Sequence, residues 1–263
     1  MQQIPQQTST MTAVPIEGIQ KILFFDEVDS TNIIAKHLAQ RNEEEGTVIV
    51  AEEQTQGRGR HSRKWVSSKG GLYLSLILRP QETTTLSLLP LFSAVSIACV
   101  LESYGLHPSI KWPNDVRIGD KKIAGTLVES SMQGNQVHYV VVGIGLNIRQ
   151  SKKQLPPEAN ATSMVLEQAK TDSMDQVLFR ILENFQQVYL QWKQGKTKEI
   201  IDEWKHRSDT LGKQVRIYTE QTVLEGVAVD IDSLGRLLLT TSSGKQHTIS
   251  YGDCQHLNQD GRL

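Results

Sequence analysis

Residues 47–78 read TVIVAEEQTQGRGRHSRKWVSSKGGLYLSLIL and place a basic segment between two apolar runs. The runs at 47–51 and 72–78 are short and rich in β-branched residues and leucine, which predicts two strands. Between them, the segment GRGRHSRKW at 57–65, which we call the basic loop, holds four Arg and Lys residues, although the formal net charge of the chain is only -1. The excess of positive charge is therefore local, and the basic loop joins two strands.

The composition of the basic loop predicts an anionic ligand. Gly57 and Gly59 permit positive φ and a close approach of the backbone to a ligand. The guanidinium groups of its arginines can each bond two phosphate oxygens at once. We therefore predict a phosphate-binding loop, and a solvated basic surface loop is the alternative.

The overall composition limits the class of protein. A length of 263 residues suits one large domain or a medium domain with a small one. The near balance of charge argues against a chain that is basic as a whole, as a nucleic-acid binder would be.

No apolar run is expected to span a membrane, and the first twenty residues lack a secretory signal pattern, so we predict a cytoplasmic protein. Cys99 and Cys254 form no metal or disulfide pattern and are expected to be structural thiols.

The order of strand and helix patterns predicts an α+β fold. We expect a flexible tail over residues 1–20, a mixed or antiparallel sheet flanked by helices over 21–210, and a small β-barrel over 211–263. The predicted strands are 21–25, 47–51, 72–78, 110–112, 116–118, 125–129, 137–142, 215–218, 223–231, 237–240 and 247–249, with turns at 113–114, 119–120 and 134–135. One predicted helix follows the capping residues 29–32, and three others cover 91–104, 174–194 and 198–206.

A second polar cluster follows the predicted helix at 91–104. The motif KWPND at 111–115 is followed by KIAG at 122–125. Proline forces an extended approach, so Asn114 and Asp115 are expected at a sharp strand end. An ordinary turn between strands is the alternative.

A third cluster, GIGLN at 143–147, ends the predicted strand at 137–142. Its glycines would let a ligand approach backbone amides, with Asn147 able to bond a base, ribose or phosphate. The third glycine of a dinucleotide-binding fingerprint is missing, and no βαβ unit precedes the motif. The chain also lacks GxxxxGK[ST], HExxH, CxxC and GxSxG motifs, and its histidines are scattered singly.

In their order and spacing, these motifs resemble those of biotin protein ligases, also called biotin-[acetyl-CoA-carboxylase] ligases. The matching pieces are DSTN at 29–32, Gln54, the basic loop, KWPND, KIAG and GIGLN. The likeness extends over about residues 22 to 250, and His61-Ser62 occupies a stretch that varies within the family. Many bacterial members carry an N-terminal winged helix-turn-helix that represses biotin genes. Since the ligase-like core begins near residue 21, we expect a ligase without the repressor function.

The resemblance implies a class II synthetase-like ligase core followed by a small SH3-like β-barrel. It implies an enzyme that uses ATP, with Mg²⁺ on the phosphates, to form biotinyl-5′-AMP and diphosphate. Biotin would then pass to a lysine of a biotin carboxyl carrier protein of a biotin-dependent carboxylase, with release of AMP. DNA and membrane partners are not expected, and monomer and homodimer both remain open.

The resemblance assigns catalytic roles to Lys122, Arg60 and Asp115, with Lys122 bridging the biotin carboxylate and the α-phosphate. Asp115 could orient or deprotonate the carrier lysine, or it could position Lys122 and Arg58. The implied biotin-binding residues are Ser30, Thr31, Asn32, Gln54, Gly57, Arg58, Gly59, Arg60, Lys122, Gly125, Gly143 and Gly145. The implied nucleotide-binding residues are Arg58, Arg60, Arg63, Lys64, Trp65, Lys111, Asn114 and Asn147. For Ser30, Thr31 and Asn32, helix capping alone is the alternative.

Two other functions fit parts of the sequence. A lipoate or octanoate protein ligase shares the catalytic architecture, although GRGR together with KWPND would be unexpected there. A DNA-binding regulator that takes biotinyl-AMP as its ligand would use the basic loop. The near-neutral charge and the missing helix-turn-helix pattern argue against that regulator.

Overall fold

The chain folds around an eight-stranded sheet that is followed by a five-stranded antiparallel sheet. The computed structural model describes residues 5–81, 83–134, 136–170 and 173–257. The larger sheet and its helices comprise β1 (Ser9–Met11), β2 (Lys21–Val28), α1 (Thr31–Gln40), β3 (Thr47–Gln54), β4 (Gly71–Leu78), α2 (Leu89–Ser103), β5 (Pro108–Lys111), β6 (Asp115–Ile118), β7 (Lys121–Gln133), β8 (Gln136–Asn147), α3 (Met174–Lys193) and α4 (Thr197–Arg207). The smaller sheet comprises β9 (Gln214–Tyr218), β10 (Val223–Ile231), β11 (Leu237–Thr240), β12 (Gln246–Ile249) and β13 (Asp253–His256). The predicted α+β fold class is confirmed.

The strand order β1-β2-β3-β4-β8-β7-β6-β5 places β4 and β8 at the centre of the larger sheet. The strands β2 and β3 are parallel because α1 connects them, whereas the other neighbours are antiparallel. Every residue of β4 is buried, which explains its nearly unbroken apolar run. One core cluster lies between α1 and the sheet, and a larger one lies on the opposite face under α2, α3 and α4.

The helix α2 is apolar around nearly its whole circumference. The stretch Leu86–Ser103, which includes α2, has a mean hydropathy of 1.8 and is long and apolar enough to cross a membrane. The sequence analysis did not single out this stretch, and the prediction that no apolar run spans a membrane stays a prediction. Ser93 and Ser96 interrupt the run in sequence, but their hydroxyls donate to the carbonyls four residues earlier at 2.7 and 3.0 Å. Within the protein, 67% of the stretch is buried, so α2 serves as its core helix.

The structure differs from the predicted flexible tail over residues 5–20. The strand β1 pairs with β2, with Thr10 opposite Leu23, and Ile16 and Ile19 are buried in the larger core cluster. The apolar residues of this segment are too few and too irregular to give a periodic pattern, so sequence alone missed the contact. Residues 1–4 of the predicted tail lie outside the described residues.

Hydrogen bonds at the KWPND motif join the smaller sheet to the larger one. The Trp112 indole donates to the Gly235 carbonyl at 3.0 Å, and the Trp112 amide donates to Thr210 Oγ1 at 3.0 Å. Since Trp112 is only 2% exposed, this contact fixes the motif against the smaller sheet. The predicted domain boundary near residue 210 stays a prediction.

Sequence patterns do not predict β13, because its residues DCQH include no β-branched side chain and no Phe, Tyr or Trp. Residues 258–263 of the predicted barrel and Asn135 of the predicted turn lie outside the described residues.

Glycine substitutions distinguish a packed N-terminal segment from a flexible one. A Cβ added at Gly46, where φ is +83°, would lie 2.0 Å from the Gly18 carbonyl oxygen, whereas one added at Gly105, where φ is +78°, would meet no atom within 4 Å. We expect Gly105→Ala to lower the free energy of unfolding by about 1 kcal/mol through its left-handed backbone alone. Gly46→Ala should lower it by about 3 kcal/mol because steric overlap adds to that cost. Denaturant unfolding measures both losses, and equal losses would contradict the packing of Gly18 on Gly46.

Candidate active site

A cavity of about 500 Å³ opens where the centre of the larger sheet meets the basic loop and the start of β13. With the exception of Gly57, every site residue that the sequence and the resemblance indicate lines this cavity. These residues are Ser30, Thr31, Asn32, Gln54, Arg58, Gly59, Arg60, Arg63, Lys64, Trp65, Lys111, Asn114, Asp115, Lys122, Gly125, Gly143, Gly145 and Asn147.

Ser30, Thr31, Asn32 and Gln54 line one part of the cavity, which we call the polar pocket. Ser30 is the N-cap residue of α1, but its side chain makes no capping hydrogen bond. Thr31 and Asn32 are 3% and 4% exposed, and Gln54 Oε1 accepts a hydrogen bond from the Thr31 amide at 2.8 Å. Gln54 therefore binds the first amide of α1, and capping by the Ser30 side chain does not account for the polar residues at 30–32.

Ser75 and Glu129, which the sequence analysis did not indicate, hold the polar pocket together. Ser75 Oγ of β4 lies 2.7 Å from Asn32 Oδ1 and 2.8 Å from Thr31 Oγ1. Glu129 of β7 accepts a hydrogen bond from Asn32 Nδ2 at 2.9 Å. A lone serine within the apolar run of β4 was an available signal, because a buried hydroxyl needs a partner. Glu129 gave no comparable signal, since a carboxylate after an apolar run is ordinary at the surface.

The basic loop folds as a short hairpin. The Gly59 amide donates to the Arg63 carbonyl at 2.8 Å, and the Trp65 amide donates to the Gly57 carbonyl at 2.9 Å. A Cβ added at Gly57 would lie 2.3 Å from the Trp65 carbonyl oxygen. Gly57 therefore shapes the hairpin without lining the cavity. Arg58 points back across the sheet, and its NH1 lies 3.2 Å from Glu129 Oε1.

Arg60 and Arg63 connect the basic loop to the start of β13. Arg60 donates to the Gly252 carbonyl at 3.1 Å and to Asn114 Oδ1 at 3.4 Å. Arg63 pairs with Asp253 at 2.5 Å. Burial lowers the pKa of Arg60 from its ordinary value, although the charge of Asp253 opposes this shift. Sequence reasoning missed Asp253 because it missed β13. A half-buried guanidinium whose close partner is a neutral carbonyl is well suited to bind an anion.

Lys122 and Asp115 form an ion pair at the centre of the cavity, with Lys122 Nζ 2.5 Å from Asp115 Oδ1. Lys122 Nζ also lies 5.1 Å from the centre of the Trp65 ring. The neighbouring Lys121 instead pairs with Glu167 at 3.1 Å and does not line the cavity. The antiparallel pairing of β6 with β7 places Asp115 opposite Gly125, which explains how KWPND and KIAG meet.

The glycines of GIGLN make room for side chains of the protein. A Cβ added at Gly143 would lie 2.0 Å from Asn32 Oδ1, and one added at Gly145 would lie 2.6 Å from the Trp65 indole nitrogen. That indole nitrogen is buried and has no hydrogen-bond partner among the described residues. Close packing of Asn32 and Trp65 against the backbone of β8 therefore requires both glycines.

The asparagines of the cavity are held by backbone carbonyls. Asn114 Nδ2 donates to the Thr126 carbonyl at 2.5 Å, and Asn147 Nδ2 donates to the Thr162 carbonyl at 2.9 Å. Gln150 Nε2 adds a 3.4 Å contact to Asn147 Oδ1. These bonds fix the orientation of both amide groups at the cavity wall.

The charged groups of the cavity do not form a resident metal centre or a thiol nucleophile. Among residues 5–81, 83–134, 136–170 and 173–257, no group of three or more His, Cys, Asp and Glu side chains could hold a metal ion. Cys254 lines the cavity, but burial raises the pKa of its thiol to about 12. A thiolate is therefore not available at neutral pH.

Comparisons with known proteins agree with this arrangement. Residues 24–147 match the Biotin/lipoate A/B protein ligase family, and residues 210–257 match the Biotin protein ligase C terminal domain. The chain is 36% identical over 232 residues to the bifunctional ligase/repressor BirA of Bacillus subtilis, covering 86% of this chain and 71% of that protein. It is 32% identical over 228 residues to the biotin--[acetyl-CoA-carboxylase] ligase of Paracoccus denitrificans, covering 83% of this chain and 93% of that protein.

A solved structure shows the same likeness in three dimensions. The biotin protein ligase from Aquifex aeolicus in complex with biotin and ATP superposes with a TM-score of 0.78 and 33% sequence identity, covering 90% of this chain and 99% of that chain. The likeness thus extends over both sheets and both family matches. This chain belongs to the biotin protein ligase family.

Proposed function

We propose that the protein activates biotin with ATP, giving biotinyl-5′-AMP and diphosphate, and then transfers biotin to a lysine of a biotin carboxyl carrier protein with release of AMP. The observation that carries this proposal is a single cavity that joins a neutral polar pocket to a group of cations around Lys122. The pocket suits an uncharged polar ring, and the cations suit a carboxylate and phosphates.

In the first half-reaction, the biotin carboxylate attacks the α-phosphate and diphosphate leaves. The carboxylate and the triphosphate repel each other, so cations must lie between and around them. Two observations support a bridging role for Lys122: it lines the cavity, and its Nζ lies beside Asp115 of β6. Arg58, Arg60, Arg63 and Lys64 supply further positive charge from the basic loop.

In the second half-reaction, the carrier lysine amine attacks the acyl carbon and AMP leaves. Lys122 would hold the departing phosphate and so serve both steps. The 2.5 Å pair between Asp115 and Lys122 supports positioning as one role for Asp115. Orientation or deprotonation of the incoming amine stays the alternative for this carboxylate.

On the nucleotide side, we assign Trp65, Lys111, Asn114 and Asn147 to ATP. The Trp65 ring offers a flat face, and the amides of Asn114 and Asn147 are already oriented by backbone carbonyls. Mg²⁺ would enter as the complex with ATP, held through the phosphates. The smaller sheet would support the site through Trp112, Gly252 and Asp253.

Biotin is favoured over lipoate by the second family match. The match over residues 24–147 covers both kinds of ligase, whereas the match over 210–257 is specific to biotin protein ligases. The relative from Paracoccus denitrificans is named a biotin--[acetyl-CoA-carboxylase] ligase. This name favours an acetyl-CoA carboxylase as the enzyme whose carrier protein accepts biotin. A cytoplasmic location, a possible homodimer, and the absence of DNA and membrane partners stay predictions.

The direct test supplies the protein with ATP, Mg²⁺ and either labelled biotin or labelled lipoate, with and without a carrier domain. We expect biotin-dependent release of diphosphate, a labelled acyl-adenylate, and labelled carrier. Labelling from lipoate but not from biotin would refute the proposed substrate.

Substitution of Lys122 tests its assigned role. We expect Lys122→Ala to lower the single-turnover rate of adenylate formation by at least about 100-fold, since it removes a cation at the developing phosphate charge. The dissociation constant for biotin, measured by calorimetry, should rise by less than about tenfold because the polar pocket remains. Lys121→Ala is the matched control and should react at the wild-type rate. Adenylate formation by Lys122→Ala at the wild-type rate would refute the catalytic role assigned to Lys122.

Ligand binding should also protect the basic loop from proteolysis. Trypsin cleaves after arginine and lysine, so the loop offers several sites between Arg58 and Lys64. With biotin and ATP present, anionic groups would neutralise these cations and hold the hairpin closed, and cleavage should slow by about fivefold or more. Cleavage after the exposed Lys152 and Lys153 serves as the control and should not slow. An equal rate at the loop with and without ligands would argue against closure.

A further inference from the structure

Hydrogen bonds link the polar pocket into one continuous chain that begins and ends on the basic loop. Glu129 pairs with Arg58 at 3.2 Å and accepts from Asn32 at 2.9 Å. From Asn32 the chain continues through Ser75 and Thr31 to Gln54. At its far end, Gln54 Nε2 donates to Ser67 Oγ at 2.7 Å, and Ser67 Oγ donates to the Trp65 carbonyl at 3.0 Å.

The carboxylate of Glu129 sets the orientation of the Asn32 amide. Burial tends to raise the pKa of Glu129, but hydrogen bonds from Asn32 and Lys36 and the charge of Arg58 outweigh it and hold the pKa below its ordinary value. Glu129 is therefore ionised at neutral pH and can only accept hydrogen bonds. Asn32 must turn its Nδ2 toward Glu129, and Nδ2 also approaches the Leu127 carbonyl at 3.4 Å. Both amide hydrogens of Asn32 are thereby directed away from a ligand.

Ser75 links the Asn32 amide to the Thr31 hydroxyl through hydrogen bonds. Because Asn32 Nδ2 faces Glu129, the amide oxygen Oδ1 faces Ser75 Oγ at 2.7 Å. An amide oxygen cannot donate, so the Ser75 hydroxyl is the donor in the contact with Asn32 Oδ1. The same hydroxyl is the donor to Thr31 Oγ1, which lies 2.8 Å away, so the one hydrogen of Ser75 serves these two acceptors.

The hydroxyl hydrogen of Thr31 also forms a hydrogen bond within the protein. Its neighbours in the chain are Ser75 Oγ at 2.8 Å and Gln54 Oε1 at 3.2 Å. Ser75 is the donor in the first contact and Gln54 Oε1 has no hydrogen, so Thr31 donates to Gln54 Oε1. Thr31 and Asn32 therefore offer only acceptor oxygens to the cavity.

We propose that Ser75 and Glu129 are positioning residues that fix Thr31 and Asn32 as hydrogen-bond acceptors in the polar pocket and so select a ligand ring that bears N–H donors. This proposal rests on the proposed function, because the cyclic urea of biotin carries two such N–H groups. A dithiolane ring or a plain alkyl chain carries none and would leave the buried acceptors unpaired, which strongly disfavours binding.

The principal test removes the Ser75 hydroxyl. In Ser75→Ala, Asn32 Oδ1 and Thr31 Oγ1 lose their shared donor, so the acceptor arrangement is no longer enforced. We expect KM for biotin and for desthiobiotin, which keeps the urea ring, to rise by about tenfold in adenylate formation. KM for ATP and kcat at saturating biotin should stay within about twofold of wild type. The matched control is Ser96→Ala, another buried serine, which bonds only within α2.

Glu129→Gln gives a second test at a partly exposed position, in case Ser75→Ala does not fold. Glutamine keeps the shape but can donate as well as accept, so Asn32 is free to turn over. KM for biotin should again rise by about tenfold, and KM for ATP should rise by less because Arg58 keeps its own charge. Glu167→Gln, which removes a carboxylate paired with Lys121 outside the cavity, should match wild type.

The outcomes separate this inference from the function on which it rests. Wild-type protein that forms no adenylate from biotin would refute the proposed function itself. Active wild-type protein, with a KM for biotin in Ser75→Ala and Glu129→Gln within twofold of their controls, would refute only the positioning roles. Equal rises in KM for biotin and for ATP would also overturn the proposal, since they indicate general damage to the cavity.

Discussion

The pairing of β4 with β8 is the constraint on which the cavity depends. In their register, Ser75 lies opposite Gly143 and Tyr73 opposite Gly145. Side chains alternate between the two faces of a sheet, so a slip of one residue would turn Ser75 away from α1 and bring a leucine there instead. Gly143 lets the Asn32 amide lie against the backbone, where it reaches Ser75. Apolar packing on both faces of β4 holds this register, so the polar pocket is set by the same forces that build the core.

Four cations of the cavity, Arg58, Arg60, Arg63 and Lys122, are held by acidic or carbonyl partners within the protein. Arg58 pairs with Glu129, Arg63 with Asp253, and Lys122 with Asp115. Each partner keeps a flexible, positively charged side chain near the cavity and offsets its repulsion from the others. A phosphate must compete with these carboxylates, which weakens ground-state binding. In return, the positive charge is already oriented when negative charge develops on the reacting oxygens, and such preorganisation contributes most where charge changes during the reaction.

Sequence patterns predicted much of the fold because its main elements are strongly periodic. The strands at β3, β4 and β8 and the helices α2, α3 and α4 appear where their apolar patterns place them. The residues that the motifs indicated gather in one cavity because KWPND and GIGLN lie at strand ends of one sheet and GRGR lies in the loop between two strands of that sheet. Ser75, Glu129 and Asp253 were not assigned to the site from sequence, and one constraint applies to all three. Each acts through a partner that is distant in sequence, and no local pattern records which strands become neighbours. The N-terminal strand β1 was missed because three residues at an edge carry almost no signal.

The contacts that join the two sheets are also contacts that place charge in the cavity. Arg60 bonds the Gly252 carbonyl, 192 residues away in the chain, and Arg63 bonds Asp253 beside it. Trp112, which leads into Asn114 and Asp115, is anchored to the Gly235 carbonyl of the smaller sheet. Loosening the smaller sheet would therefore free Arg60 and Arg63 on one side of the cavity and the KWPND turn on the other. Docking of the smaller sheet and placement of the KWPND turn and Arg60 are thus linked, because loss of the buried Trp112 bonds or the partly buried Arg60 bond would leave their partners unpaired.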